Sequence, residues 1–246
     1  MPRTVGEVAR LRRGEVTLSG LVPGPMVVAV LGVGAKAGAS TLAALLAQFL
    51  AAMAPGRVAV LDGDGTQQSQ RERLGADGSG DLADLLASPH VWRSRRAIDR
   101  YLARGGAVPL LATAVDQVWS IAPDQVETAV RLLRHRFPCV VVDLHAFGHE
   151  VAARIADQVI VVGRLNWTLS ATSQWLRDNR PERPPASVLT VTVGAPTAPA
   201  LPEWVDMAFP TDPALGRSGP ARLTRAELST QAALEELVCK LSITWA

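Results

Sequence analysis

The sequence predicts an α/β protein in which a mostly parallel β-sheet lies between two layers of helices. Short apolar runs without polar alternation recur along the chain, as expected for strands that are buried on both faces. Segments with helical spacing separate these runs, which is the order of elements found in parallel sheets. The chain has 246 residues, of which 48% are hydrophobic, so it is long enough to bury one large core.

The predicted elements follow one another at short intervals. The predicted strands are residues 26–32, 57–62, 107–113, 118–122, 139–144, 157–164 and 187–194. The predicted helices are residues 41–54, 81–88, 93–104, 124–136, 169–179 and 224–242. Pro55 and Gly56 end the first helix, because neither residue favours its continuation. Residues 1–25 are expected to form an N-terminal extension that ends in a Pro–Gly turn, ahead of a single domain over residues 26–246.

Composition and charge narrow the class of protein. The net charge is +2, which is too small to argue by itself for binding to nucleic acid. Cys139 and Cys239 each lie in an apolar segment, so we expect two buried thiols in a reducing compartment and no disulfide. Prolines at 23 and 25 interrupt the apolar stretch of a would-be signal peptide, and no apolar run approaches the roughly 20 residues that span a bilayer. The expected location is the cytoplasm.

Residues 32–42 read GVGAKAGASTL and lie between the first predicted strand and the first predicted helix. Backbone N–H groups in such a turn converge on an anion, and the start of the helix adds its positive dipole end. The phosphate-loop consensus G-x-x-x-x-G-K-[ST] places a lysine before the hydroxyl residue, whereas this chain has Ala39 there. The only lysines in the chain are Lys36 and Lys240, and Lys36 lies inside the turn.

Acidic residues follow two further predicted strands. Asp62 and Asp64 come at the end of the second strand, and Asp143 comes at the end of residues 139–144. Because the carboxyl ends of parallel strands share one edge of the sheet, we expect these acids to lie beside the glycine-rich turn. Ser40 or Thr41 could offer a hydroxyl to Mg²⁺, which Asp62 and Asp143 would hold directly or through water. The alternative is a turn kept for tight packing, with acids that act only as helix caps.

These motifs resemble those of the MinD/ParA group of deviant Walker-A ATPases. The matching segments are LDGDG (61–65), VVVDL (140–144), ADQVIVV (156–162) and FPTDPALGRSG (209–219). The nearest likeness is to the CpaE/TadZ-like branch, where alanine often replaces the Walker lysine, as it does in the run from Gly38 to Thr41. Ala39 would then mark a degenerate phosphate loop in a P-loop NTPase fold.

The resemblance implies a protein that binds ATP or ADP with Mg²⁺ and forms a homodimer around the nucleotide. Such a dimer would position a larger protein assembly, such as a secretion or pilus apparatus, a chromosome or the division site. The residues implied in nucleotide binding are Gly34, Lys36, Gly38, Ala39, Ser40 and Thr41. Ser40, Asp62 and Asp143 would hold the metal, and Asp62 and Asp143 would also organise the attacking water.

Departures from the family pattern leave two other functions open. Lys36 matches the signature lysine of the family only if the loop is two residues shorter, and Ala39 removes the ammonium that assists phosphoryl transfer. A weak or partner-dependent ATPase is therefore one hypothesis, and a pseudo-ATPase scaffold or regulator is the alternative. A third is a nonspecific DNA-binding module that uses four arginines at helical spacing, although a solvated helix explains the same spacing. These arginines are Arg93, Arg96, Arg100 and Arg104.

Overall fold

The computed structural model describes residues 26–63, 69–76, 81–103, 106, 108–113, 121–145, 148–180, 187–194, 201–215 and 219–243. These residues form a seven-stranded sheet in the order β3-β2-β4-β1-β5-β6-β7. Every pairing between described strands is parallel, which confirms the predicted sheet. The strands are β1 (Met26–Val33), β2 (Val58–Asp62), β3 (Leu110–Leu111), β4 (Cys139–Leu144), β5 (Gln158–Gly163), β6 (Val188–Val193) and β7 (Met207–Phe209). The predicted extension, residues 1–25, lies outside the described residues.

The helices connect these strands and cover both faces of the sheet. They are α1 (Ala39–Met53), α2 (Ser69–Leu74), α3 (Leu82–Leu86), α4 (Arg95–Ile98), α5 (Pro123–Arg136), α6 (His149–Ile155), α7 (Trp167–Asp178) and α8 (Leu228–Ile243). Short 3-10 helices span Pro89–Arg93 and Leu223–Arg225. In the described part of the chain, no helix is long and apolar enough to cross a membrane.

Two hydrophobic clusters lie on opposite faces of the sheet, as the three-layer prediction requires. Alternate residues of a strand point to opposite faces, so β1 contributes to both clusters. Val28 and Val30 pack on the side of α1 and α8. Val27 and Ala29 pack on the side of α3 to α7. The apolar runs predicted as strands are therefore buried from above and below.

The register of the central strands sets the position of the predicted site. β1 lies between β4 and β5, so the glycine-rich turn leaves the sheet near its middle. Asp62 is paired with Asp143 across β2 and β4, and Asp143 is also paired with Val30 across β1 and β4. Both acids therefore reach the same edge of the sheet as the turn after Val33.

The predicted helix over residues 93–104 is wrong in extent. A 3-10 helix ends at Arg93, and α4 begins afresh because the Ser94 side chain accepts a hydrogen bond from Ala97 N at 3.3 Å. α4 ends at Ile98, so Arg100 does not share a continuous helical stripe with Arg96. Arg104 lies outside the described residues.

Other boundaries also differ from the predictions. The predicted strand over 107–113 shortens to Leu110–Leu111. Of the predicted strand over 118–122, residues 118–120 lie outside the described residues. Residues 121–122 are not in a strand, and Ala122 is the N-cap of α5. The sequence did not predict α2, α6 or β7. These elements have at most seven residues, which is too short for a clear periodicity.

The two cysteines have different environments. Cys139 is fully buried in β4, and burial raises the pKa of its thiol to about 12. Cys239 is exposed on α8, so the prediction that both thiols are buried is wrong for this residue. Its apolar neighbours Leu237 and Val238 occupy the buried face of the same helix. An apolar stretch of sequence that folds as a helix therefore does not bury every one of its residues.

Candidate functional site

The turn after β1 has an unusual backbone. Gly34, Lys36 and Gly38 all have left-handed φ values, of 89°, 55° and 84°. Lys36 is the only residue other than glycine with a positive φ in the part of the chain that the structure describes. A left-handed residue with a side chain costs about 1–2 kcal/mol, and such strain is concentrated at functional positions. The conformation of Lys36 therefore points to a role for this turn beyond connecting two elements.

Backbone donors of the turn are available to a ligand. α1 begins at Ala39 with Gly38 as its N-cap, and no side chain forms a capping hydrogen bond there. Among the described residues, the amides of residues 34–38 donate no hydrogen bond. Gly34, Lys36 and Gly38 are exposed. Unsatisfied N–H groups at the start of a long helix are a suitable surface for an anion.

Ala39 fills the position of the Walker lysine with a methyl group. Its side chain is 7% exposed. A Cβ atom added to Gly32 would lie 3.0 Å from the Ala39 Cβ, so the methyl packs closely on the end of β1. Residue 39 therefore contributes packing and a backbone amide but no ammonium, and the loop's charge comes from the exposed Lys36.

Gln70, in α2, joins the turn to both acids. Its backbone N–H donates to Asp62 Oδ2 at 3.0 Å. Its side-chain Nε2 donates to Asp143 Oδ2 and to the Ser40 carbonyl oxygen, each at 2.8 Å. Asp62 and Asp143 are each 1% exposed, and Gln70 is fully buried. The structure thus brings the predicted loop and the predicted acids to one place, as the order of strands led us to expect.

Arg71 supplies positive charge behind the acids. Arg71 is 7% exposed, and its guanidinium donates to the Thr113 carbonyl oxygen from Nε at 2.9 Å and from Nη2 at 2.6 Å. Burial lowers the pKa of Arg71, and the nearby carboxylates of Asp62 and Asp81 act in the opposite direction. Arginine nevertheless stays protonated in proteins, so its charge offsets part of the repulsion between the buried acids.

The donor set at this edge fits a divalent ion of the Mg²⁺ type. Ser40 and Thr41 lie half-buried in the first turn of α1. The Asp143 carboxylate and the Ser40 carbonyl oxygen accept from the same Gln70 nitrogen, and Asp62 accepts from the backbone N–H of that residue. All the side-chain groups are oxygen ligands, which Mg²⁺ prefers. A second observation is that Gln70 Oε1, beside this pair, is buried without a hydrogen-bond partner in the described part of the chain. Asp64, the weaker predicted acid, lies outside the described residues.

Two residues of the site were missed from the sequence. Gln70 lies eight positions after Asp62, and no motif or periodicity distinguished it from neighbouring glutamines. Gly63 donates its N–H to the Asp143 carbonyl oxygen at 2.9 Å, and a Cβ there would lie 2.7 Å from that oxygen. The glycine of LDGDG was therefore the available signal, because only glycine permits so close an approach of the two strand ends.

Comparisons with known proteins give the fold of the chain. No protein-family model and no curated protein matches the sequence. Solved structures do match, among them the septum site-determining protein MinD complexed with Mg-ADP from Pyrococcus horikoshii OT3. That match has a TM-score of 0.64 and 18% identity, and it covers 89% of this chain and 94% of that one.

Two further solved structures match the chain with similar TM-scores, identities and coverage. A ParA family ATPase from Chlorobium tepidum TLS gives a TM-score of 0.63 at 15% identity, over 86% of this chain and 97% of that one. A chain of the MinC:MinD cell division protein complex of Aquifex aeolicus gives a TM-score of 0.62 at 13% identity, over 88% of this chain and 95% of that one. Likenesses at this level of identity establish a shared architecture. The chain has the fold of the MinD and ParA ATPases.

Proposed function

We propose that this chain binds ADP or ATP with Mg²⁺ at the carboxyl edge of its sheet and acts as a nucleotide-dependent switch. The observation that supports this most strongly is the position of Gln70. One residue contacts the backbone of Ser40 and the carboxylates of Asp62 and Asp143, so the turn and the acids form a single site. The Mg-ADP complex of the Pyrococcus MinD is consistent with the same ligand class for this fold.

The residues of the site have distinct proposed roles. Amides of residues 34–40 hold the phosphates, and the Lys36 ammonium adds charge from the exposed side of the turn. The hydroxyl of Ser40, with Thr41 as a second candidate, faces the ion, and Asp62 and Asp143 hold it directly or through water. When bound, Mg²⁺ would neutralise charge on the phosphate oxygens. The two acids would also orient a water molecule for attack.

Turnover is the part of this function that Ala39 weakens. An ammonium at this position matters most when charge develops in the transition state, so its loss slows phosphoryl transfer more than it weakens binding. We therefore propose a weak or partner-dependent ATPase. The close packing of Ala39 on Gly32 favours the second candidate, a pseudo-ATPase scaffold that binds nucleotide without hydrolysing it.

The proposed function also includes dimerisation and the positioning of a larger protein assembly. A homodimer around nucleotide, with protein partners in a larger assembly, follows from the resemblance to MinD and ParA. The Aquifex MinD, solved with MinC, gives a precedent for a protein partner in this fold. The DNA-binding alternative stays a prediction, and the arginines on which it is based do not lie on one continuous helix, because α4 ends at Ile98 and Arg100 lies beyond it.

Calorimetric titration of the full chain with ADP and with ATP, with and without Mg²⁺, tests the proposed binding. We expect binding of both nucleotides that Mg²⁺ strengthens, and loss of the Mg²⁺ effect in Asp143→Asn. A phosphate-release assay then separates the two candidates, since only an ATPase would lose release in Asp62→Asn and Asp143→Asn. No heat of binding with any nucleotide would contradict both.

A further inference from the structure

The carboxamide of Gln70 has a fixed orientation in the site. Both partners of its Nε2, the Asp143 carboxylate and the Ser40 carbonyl, are acceptors. Only the NH₂ end can face two acceptors, so the Oε1 atom must point the other way. That oxygen is buried and has no hydrogen-bond partner among the residues that the structure describes. The side chain is therefore held at its donor end and unsatisfied at its acceptor end.

The two acids lie close together, so donors and cations around them must offset their repulsion. Asp62 and Asp143 are neighbours in the β2–β4 register, and each is 1% exposed. Buried carboxylates at such a spacing repel one another unless donors or cations stabilise them. Residue 70 gives a donor to each, from its backbone N–H to Asp62 and from its side chain to Asp143. A divalent ion would stabilise the same two carboxylates with a much larger positive charge.

We propose that the Gln70 carboxamide takes the place of the divalent ion in the nucleotide-free chain, and that Mg²⁺ with nucleotide displaces it. This inference rests on the proposed function. Mg²⁺ takes oxygen ligands at about 2.0–2.1 Å, so the Gln70 N–H that is directed at Asp143 Oδ2 competes with the ion for that oxygen. Gln70 is thus a competitor that sets how tightly the site takes the ion.

Displacement involves the side chain and leaves its helix in place. α2 is anchored to other parts of the chain by hydrogen bonds of 2.6–2.9 Å, which join Arg71 to Thr113, Ala221 to Arg73 and Gly219 to Glu72. None of these bonds is made to Asp62, Asp143 or Ser40. The Gln70 side chain has rotatable bonds of its own, so it can turn out of the site while α2 stays anchored.

Gln70→Met tests this competition, because methionine keeps the length of the side chain and removes both polar atoms. Magnesium chloride is titrated into the full-length chain, alone and with saturating ADP, and metal affinity and melting temperature are recorded. We expect a lower melting temperature without metal and an affinity for Mg²⁺ about tenfold tighter than in the wild type. The ion no longer has to break a charge-assisted hydrogen bond in this variant.

Gln48→Met is the matched control. The Gln48 amide donates to the Ala221 carbonyl oxygen at 2.6 Å and accepts from Leu223 N at 3.4 Å, with no contact to either acid. This variant should lose stability by the same amount with and without Mg²⁺, and its affinity for the ion should match that of the wild type. A tighter Mg²⁺ affinity in Gln48→Met would overturn the proposal, because the effect would then not belong to residue 70.

The affinity of Gln70→Met decides the proposal. An unchanged affinity for Mg²⁺ would mean that Gln70 is only structural, and a weaker one would mean that it is a ligand, so either result overturns the competition. If this variant does not fold, Gln70→Asn, whose shorter amide no longer reaches both acceptors, is measured with the same expectation. Failure of the proposed function shows separately, as absence of ADP binding by the wild type, while Mg²⁺ alone still tests the role of Gln70.

Discussion

Two glycines allow the conformation of the phosphate turn to be tested apart from general stability. Gly34 and Gly56 have φ values of 89° and 74°, and a Cβ atom added to either would meet nothing within 4 Å. Alanine at each position therefore costs backbone strain of about 1–2 kcal/mol, less about 0.4–1 kcal/mol from the restricted unfolded chain. We expect Gly34→Ala and Gly56→Ala each to lose roughly 1 kcal/mol, or about 2–4 °C in melting temperature.

Nucleotide affinity should separate these two variants. Gly34 is in the turn, so relief of strain in Gly34→Ala rotates an amide that would face a phosphate, whereas Gly56 follows α1 at its far end. Loss of one hydrogen bond to a charged group costs about 1.5–3 kcal/mol, which is roughly ten- to a hundredfold in the dissociation constant. Calorimetric titration with Mg-ADP should show this loss in Gly34→Ala only. Equal affinities in the two variants would refute the assignment of the turn amides to the phosphates.

Three further predictions concern other residues. Lys36→Gly should raise the free energy of unfolding by about 1 kcal/mol, because it removes left-handed strain at φ 55°, yet weaken Mg-ADP binding through the lost charge; denaturant unfolding and calorimetry measure the two effects. Ala39→Lys should raise phosphate release from ATP well above the wild-type rate, and an unchanged rate would favour the scaffold. In the native chain a thiol reagent at pH 8 should modify Cys239 but not Cys139, since burial raises the pKa of Cys139 to about 12 and suppresses its thiolate; mass spectrometry identifies the modified residue.

The parallel sheet was predictable because its signal is long and repeated. β4 and β5 span the mostly apolar runs CVVVDL and QVIVVG, in which every residue is buried. α5 was predicted to within one residue, because Val126, Val130 and Leu133 mark its buried face at helical spacing. Extended patterns of this kind reflect burial against a sheet, which dominates the free energy of folding.

Short elements were less predictable because tertiary contacts define them. α2 has six residues, and hydrogen bonds of Arg71 and Arg73 to distant parts of the chain hold it in place. At the other end of the chain, the apolar residue Leu228 is the first residue of α8 and is 46% exposed. Such positions depend on where an element begins, which local propensity does not fix.

The candidate site likewise has residues that could be predicted from the sequence and residues that could not. Strand order alone placed Asp62 and Asp143 beside the turn, because parallel strands present their carboxyl ends at one edge. Gln70 was not predictable, because its role arises from a short helix that folds back over the acids. The left-handed conformation of Lys36 was not predictable either, since the sequence of a glycine-rich turn does not indicate the φ value of a lysine within it.

A crystal structure of the full chain with Mg-ADP tests the central claim most directly. We expect phosphates at the amides of residues 34–40, a metal ion near the Ser40 hydroxyl and the Asp143 carboxylate, and the Gln70 amide turned away from Asp143. Nucleotide bound elsewhere on the molecule, with the hydrogen bonds of Gln70 to Ser40 and Asp143 unchanged, would contradict it.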